Sequence, residues 1–286
     1  GIRTPARDAL IADISTESQR GAHFGINRAL DTAGAVVGLV AVAVFINYSV
    51  GSEAQKLKSI LWAASLVGVI ALFFVFFGIK DPAGSPQTKS QANKLKIHFK
   101  ELPQSYKNYL PVAFVWALAT SSDAFLILEA RNRGFSLRGI FILLALFNLV
   151  SALSAYNLSK LSDKFGRRKM LVLGWLVYGV CYGSFSFAPG PISFGIILAF
   201  YGLFYGFTDG VEKAFVADLV SGQPEWKATS YAVLGLVSAV GVVVANLLFG
   251  WLYREINHNV AFLSSSFFAF IGILIMSSLK LKRSNV

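Results

Sequence analysis

The 286-residue chain holds one cysteine, Cys181, and three histidines, His23, His98 and His258. A lone cysteine inside an apolar segment excludes a disulfide framework and a thiolate metal site. The histidines fall at or near loops, and no H-E-x-x-H, C-x-x-C, G-x-S-x-G or G-x-x-x-x-G-K-[ST] pattern occurs. Zinc hydrolysis, dithiol redox chemistry, nucleophile-elbow catalysis and ATP-driven pumping lack the residues they need. Ser264, Ser265 and Ser266 have no evident base at their depth, which disfavours a membrane hydrolase. The chain therefore reads as no enzyme, with no cofactor and no metal. Charge is scarce too: 14% of residues are charged, against about a quarter in soluble domains. With 55% hydrophobic residues and a mean hydropathy of +0.59, the chain does not build a water-soluble core.

What it has instead are long apolar runs, at residues 22–46, 57–79, 109–131, 137–158, 170–188, 191–220, 228–253 and 260–280. Each is near the roughly 20 residues that cross a bilayer. The count is about eight helices, with an incomplete one, closed by residues 9–13, at the front. Between the second and third full runs, Asp81-Pro82 and Ser85-Pro86 break helicity, and Lys89, Lys94, Lys96, Lys100 and Lys107 make a basic linker. This divides the chain into the end of an N-terminal bundle (1–79), a cytoplasmic basic linker (80–107) and a C-terminal six-helix bundle (108–286). The net charge of +11 lies mostly between apolar runs, where cations set topology, so nucleic acid is not an expected partner. Alternation of loops gathers Ser15–Arg20, the linker, Lys160–Lys169, the Lys227 loop and the Lys280, Lys282, Arg283 tail on one side, the cytoplasmic one by the positive-inside rule. Residues 131–138 are discordant, placing three arginines on the other side; Glu129, four before Arg133, offers one a partner.

The densest charge is Ser159-Lys160-Leu161-Ser162-Asp163-Lys164-Phe165-Gly166-Arg167-Arg168-Lys169, at the joint between two runs. Asp163 can pair with a cation or cap the following helix, Gly166 can take a positive φ, and the basic residues can anchor at headgroups. The pattern resembles the G-x-L-a-D-r-x-G-r-r loop signature of the major facilitator superfamily, with Ser159 where that family has its leading glycine. Independently, Arg7–Asp13 (RDALIAD) aligns with Glu212–Asp218 (EKAFVAD) at an offset of 205, each copy closing one helix before a loop and another long helix. Parallel six-helix repeats are how such transporters are built. Gly1–Asp13, Phe24–Ala35 and Tyr205–Asp218 resemble a prokaryotic branch of the superfamily whose members mostly lack a known substrate. The resemblance implies an all-α polytopic membrane bundle of twelve helices, present here from the fourth onward, in a prokaryotic inner membrane, monomeric at full length.

Ionisable groups within spans are costly and face cavities or partners. Counting about 1.5 Å per residue from the loops puts Asp31, Asp209, Asn148 and Ser238 near the midplane and Asp123 slightly beyond it. Asp209 and Lys213 share a helix face, as do Arg28 and Asp31, and each pair reads either as a substrate or coupling site or as a static neutral tie. Asp8 and Arg28, at similar depth on neighbouring helices, suit a cross-helix ion pair, static or gating. Glu212 and Glu129 are candidate proton carriers; Tyr178, Tyr182, Tyr201 and Tyr205 can line a cavity suited to an amphipathic cargo. Gly25, Gly34, Gly38, Gly235 and Gly241 suit close helix packing, and the five tryptophans suit interfacial anchoring. Together these predict a secondary carrier of a small solute by alternating access in a lipid bilayer, proton-coupled, with efflux preferred over uptake. The alternative is a non-transporting scaffold or sensor that keeps the fold. Gly1 is not an initiator and the chain begins as if within a helix, so sequencing upstream of Gly1 is expected to show three further spans and a second acid-glycine-basic loop.

Overall fold

The computed structural model describes residues 3–78, 102–222 and 226–279. Among them the chain forms ten helices: α1 (Arg3–Ile14), α2 (Arg20–Tyr48), α3 (Glu53–Gly78), α4 (Gln104–Ala119), α5 (Asp123–Asn132), α6 (Leu137–Phe165), α7 (Arg167–Phe187), α8 (Pro191–Leu219), α9 (Lys227–Glu255) and α10 (His258–Ser278). Hydrocarbon offers no partner for a backbone N–H or C=O, so apolar segments of this length satisfy themselves as helices. Among the described residues seven spans are long and apolar enough to cross a membrane, with α4 and α5 counted as one run of 29 residues. Most of the linker expected at 80–107, and the basic tail beyond residue 279, lie outside the described residues.

Most of the helices pack on one another as a bundle. α6 packs between α2 and α8, α7 between α8 and α10, and α4 against α9 and α10; α2 also leans on α8, and α1 on α9. The large side chains at the centre are aromatic: Trp175, Tyr106, Tyr109, Tyr178, Tyr182, Tyr201, Phe185, Phe194, Phe249 and Phe262 are fully buried. Trp116 stacks on Trp175 with ring centroids 4.4 Å apart, and Tyr178 on Tyr182 at 4.1 Å. Tyr178 and Tyr182 are thus core residues, while Tyr205 keeps partial exposure.

Two local features differ from the expected layout. The charged stretch 159–165 is not a loop: it continues α6, and the joint is Gly166 alone, at φ +91°, before α7 starts at Arg167. A one-residue turn of that kind needs a backbone without a Cβ. The run expected at 109–131 is broken at Thr120-Ser121-Ser122, where hydroxyl side chains compete for backbone partners and favour caps over helix interior. Ser122 Oγ accepts from Ala124 N, Asn246 Oδ1 accepts from Ser122 N at 2.8 Å, and Tyr178 OH donates to Ala119 O at 2.7 Å. Neighbouring helices therefore supply partners that the break would otherwise leave missing inside the bundle.

α5 ends in the discordant arginines. Arg133 Nε donates to Glu129 Oε1 at 2.7 Å, as the four-residue spacing predicts, and its other nitrogens donate to the carbonyls of Ala188 and Phe185. Tyr253 OH holds the second oxygen of Glu129 at 2.7 Å, and both charged side chains are largely buried. Arg131 instead meets Glu53 across an exposed gap of 2.9 Å. Glu129→Gln leaves Arg133 buried without its counter-charge and is expected to cost about 3 kcal/mol or more. Arg131→Gln is expected to cost about 1 kcal/mol or less, as exposed pairs do. Denaturant titration of both variants in detergent micelles checks the difference.

Candidate functional site

The partly buried charges at the middle of the bundle form one chain of contacts. On α2, Arg28 Nε lies 2.8 Å from Asp209 Oδ2 on α8, and its guanidinium stacks over the Tyr205 ring at 5.2 Å. One turn separates Tyr205 from Asp209, so a single helix face offers the arginine both a carboxylate and a ring. Tyr205 OH then donates to Asp123 Oδ2 at 3.1 Å, and Tyr201 OH approaches Asp123 Oδ1 at 3.5 Å. Asp123 stands in the first turn of α5, presented by the break in the span. Arg28 and Asp209 keep side-chain exposures of 28% and 32%, so the chain of contacts can be reached from the space between the helices.

The pairs that form are not those the local spacing predicts. Arg28 takes Asp209, not Asp31 three residues on, and not Asp8. Lys213 Nζ reaches Asp8 Oδ2 at 3.4 Å and does not pair with Asp209. Asp31 is exposed and has no ionic or hydrogen-bonded partner among the described residues. Asn148 Nδ2 donates to Leu144 O on its own helix, and Ser238 is half-buried on α9. Glu212 stands apart from the Asp123 chain: Tyr109 OH on α4 donates to its Oε1 at 2.6 Å. Arg28, Lys213 and Glu212 thus find partners on other helices, whereas Asn148 bonds within its own and Asp8 is held by Arg7 at 3.2 Å as well as by Lys213.

A second cluster closes the end that carries the basic loops. Asp163 does not cap α7; its two oxygens accept from Gly21 N and Ala22 N at 3.1 and 3.2 Å, capping α2. Arg167 donates to the carbonyls of Ala214 and Glu17, to Asp163 at 3.2 Å, and pairs with Asp218. Arg168 donates to Met276 O and Ser277 O at the C-terminus of α10, where carbonyls stand free. Arg20 Nη1 reaches Asp218 at 2.8 Å, and Lys227 Nζ reaches Asp13 at 2.6 Å. Asp13 and Asp218 are the closing residues of the two repeat copies, one residue before the ends of α1 and α8. Each pairs with the base that begins a span of the opposite segment, so the two ties are reciprocal. That reciprocity is a signal the repeat contained, since Arg20 and Lys227 each follow their loop at the head of the next span.

Below these ties α2, α6 and α8 come together around Ser159. A Cβ on Gly21 would lie 2.3 Å from Ser159 O, one on Gly25 2.7 Å from Ser159 Cβ, and one on Gly210 3.0 Å from Gly25 N. A small residue at all four places is what lets three backbones meet. Gly241 does the same against Ala117 on α4, whereas Gly34, Gly38 and Gly235 have open space beside them among the described residues.

The profile of the Major Facilitator Superfamily matches residues 1–130 and again 110–285. The chain belongs to the Major Facilitator Superfamily. It is 31% identical to an uncharacterized MFS-type transporter of Methanocaldococcus jannaschii, over 96% of this chain and 68% of that protein. An uncharacterized MFS-type transporter of Bacillus subtilis is 24% identical over 73% of this chain and 53% of its own length. A crystal structure of the Major Facilitator Superfamily transporter FucP in the outward conformation shares the fold, with a TM-score of 0.63 at 12% identity, covering 96% of this chain and 71% of that one.

Membership of the Major Facilitator Superfamily makes this an integral membrane protein of a transporter family, not an enzyme, and a small molecule its substrate. At Gly25, α2 meets α6 with no space for a larger side chain. Gly25→Leu drives a side chain into Ser159 and Tyr156, with no room to relax except by parting α2 from α6. Gly34→Leu on the same helix meets open space. Thermal unfolding in detergent is expected to shift down by several degrees in Gly25→Leu and to stay unchanged in Gly34→Leu.

Proposed function

We propose that this chain works in a secondary carrier that moves a small solute by alternating access, coupled to protons and running in the direction of efflux. The single observation that carries the reading is the set of ion pairs between residues 8–28 and residues 209–227: Asp8 with Lys213, Asp13 with Lys227, Arg20 with Asp218 and Arg28 with Asp209. Every one of them joins the N-terminal segment to the C-terminal bundle, so none survives a rocking of one against the other. Their breaking and making is a gate that runs from the basic end, cytoplasmic by the positive-inside rule, to the middle of the bundle. With those pairs made the opposite side is the one free to open, which accords with the outward conformation in which FucP was crystallised.

In this reading Asp123, Tyr205, Arg28 and Asp209 hold the solute and the coupling proton. Among the described residues Asp123 has hydroxyl donors only, so it is the carboxyl able to gain or lose a proton without breaking a tie between bundles. Arg28 and Asp209 are both gate and site, and a solute that competes for either loosens the contact between α2 and α8. Asp31, exposed on α2, faces whatever completes the pathway. Glu212, to which Tyr109 donates at 2.6 Å, is the second protonatable group.

Proteoliposomes containing the intact protein and a panel of amphipathic solutes test this, with an imposed pH gradient and fluorescence of an internal pH dye. Asp123→Asn is expected to reduce gradient-driven exchange about tenfold or more, the ratio that a loss of roughly 1.4 kcal/mol produces. If Asp31, Asp123 and Asp209 can all be changed to asparagine with no effect on any flux, the carrier reading falls and a scaffold or sensor that retains the fold takes its place.

A further inference from the structure

Of the three arginines of residues 131–138, two are matched. Arg133 has Glu129 and Arg131 has Glu53. Arg138, exposed at the second residue of α6, has Nη1 donating to Asn47 Oδ1 at 2.8 Å, a neutral acceptor, and no carboxylate partner among the described residues. A guanidinium carries five N–H donors, so most of its hydrogen-bonding capacity is unspent.

Arg138 closes one end of a groove of about 300 Å³ between α2 and α6. Ala43 and Ala145 make its buried floor, and Val40, Val44, Ile142 and Leu146 make half-exposed walls. The small floor residues are what hollow it out. At 100° per residue, Val40 and Val44 lie about 120° and 160° around α2 from Arg28, so the groove opens away from the Arg28–Asp209 contact and towards hydrocarbon. Arg138 stands at the end of its span, which is headgroup depth, and the groove runs from there about 12 Å inward to Leu146.

We propose that this groove binds one anionic phospholipid of the leaflet opposite the basic loops, with an acyl chain on Ala43 and Ala145 and the headgroup phosphate on the Arg138 guanidinium. Charge selects the headgroup, because the other two arginines of 131–138 are already neutralised and this one is not. Shape selects the chain, because the walls are aliphatic and the floor has no polar side chain. Since α2 and α6 each supply half of the lining, the lipid bridges the same two segments that the charged ties join at the far end.

Native mass spectrometry of the intact protein, released from nanodiscs of equal phosphatidylglycerol and phosphatidylcholine, tests the site. Phosphatidylglycerol is expected to be retained about fivefold over phosphatidylcholine. Arg138→Gln should bring the ratio to parity, and Arg131→Gln should leave it unchanged. Ala145→Phe fills the floor and should reduce retention of both lipids; thermal unfolding in detergent verifies that each variant is folded. Parity in the unaltered protein overturns the proposal. So does an undiminished phosphatidylglycerol preference in folded Arg138→Gln, or undiminished retention in folded Ala145→Phe, the result expected if another helix covers the groove.

Discussion

A charge held in an apolar span has to find its opposite, because desolvating an ion costs several kcal/mol and an uncompensated one more still. Glu129 and Arg133 meet that demand locally, four residues apart, but four charges of α1 and α2 meet it by reaching to another helix. Asp8, Asp13, Arg20 and Arg28 all look across to α8 or α9, and Asp163 reaches from α6 to the start of α2. The packing of α2 on α6 and α8 is thus tied to electrostatics as well as to shape. Glycines at 21, 25 and 210 allow the backbones to come close enough for these short contacts, and the contacts hold the backbones there.

The break between α4 and α5 has a similar logic. Unpaired backbone groups within the bundle would be as costly as unpaired charges, and Asn246 and Tyr178 satisfy them from two other helices. The gain is position: Asp123 is delivered at the head of α5, beside the hydroxyl of Tyr205, where an unbroken helix would have carried it past. Tyr205 in turn joins that carboxylate to Arg28 through its ring, so the acid on α5 and the base on α2 sense one another without direct contact.

Span positions were legible from hydropathy because hydrocarbon tolerates little else over twenty residues, and α2, α7, α8 and α9 begin and end within a few residues of the expected bounds. Gly166 was legible because only a residue without a Cβ fits so tight a joint. The length of α6 was not: charge after an apolar run suggests a loop, yet a helix continues past the bilayer at no cost when its side chains reach water or partners. The ion pairs were misplaced for a different reason. Spacing along one helix reports only neighbours three and four residues away, whereas Asp163 finds α2 from 142 residues further along the chain and Lys227 finds Asp13 from 214 residues away. The acid-closing repeat carried that information in latent form, since it set Asp13 and Asp218 at equivalent places.

Asp8 and Lys213 are separated by the same offset of 205 that relates the two copies, so this contact joins a position to its own counterpart. Two such residues can touch only where they flank the axis of pseudo-symmetry. Had both halves kept one and the same ionisable side chain there, like would have faced like in a medium that screens poorly. Opposite sign at this site is therefore a condition for the halves to close.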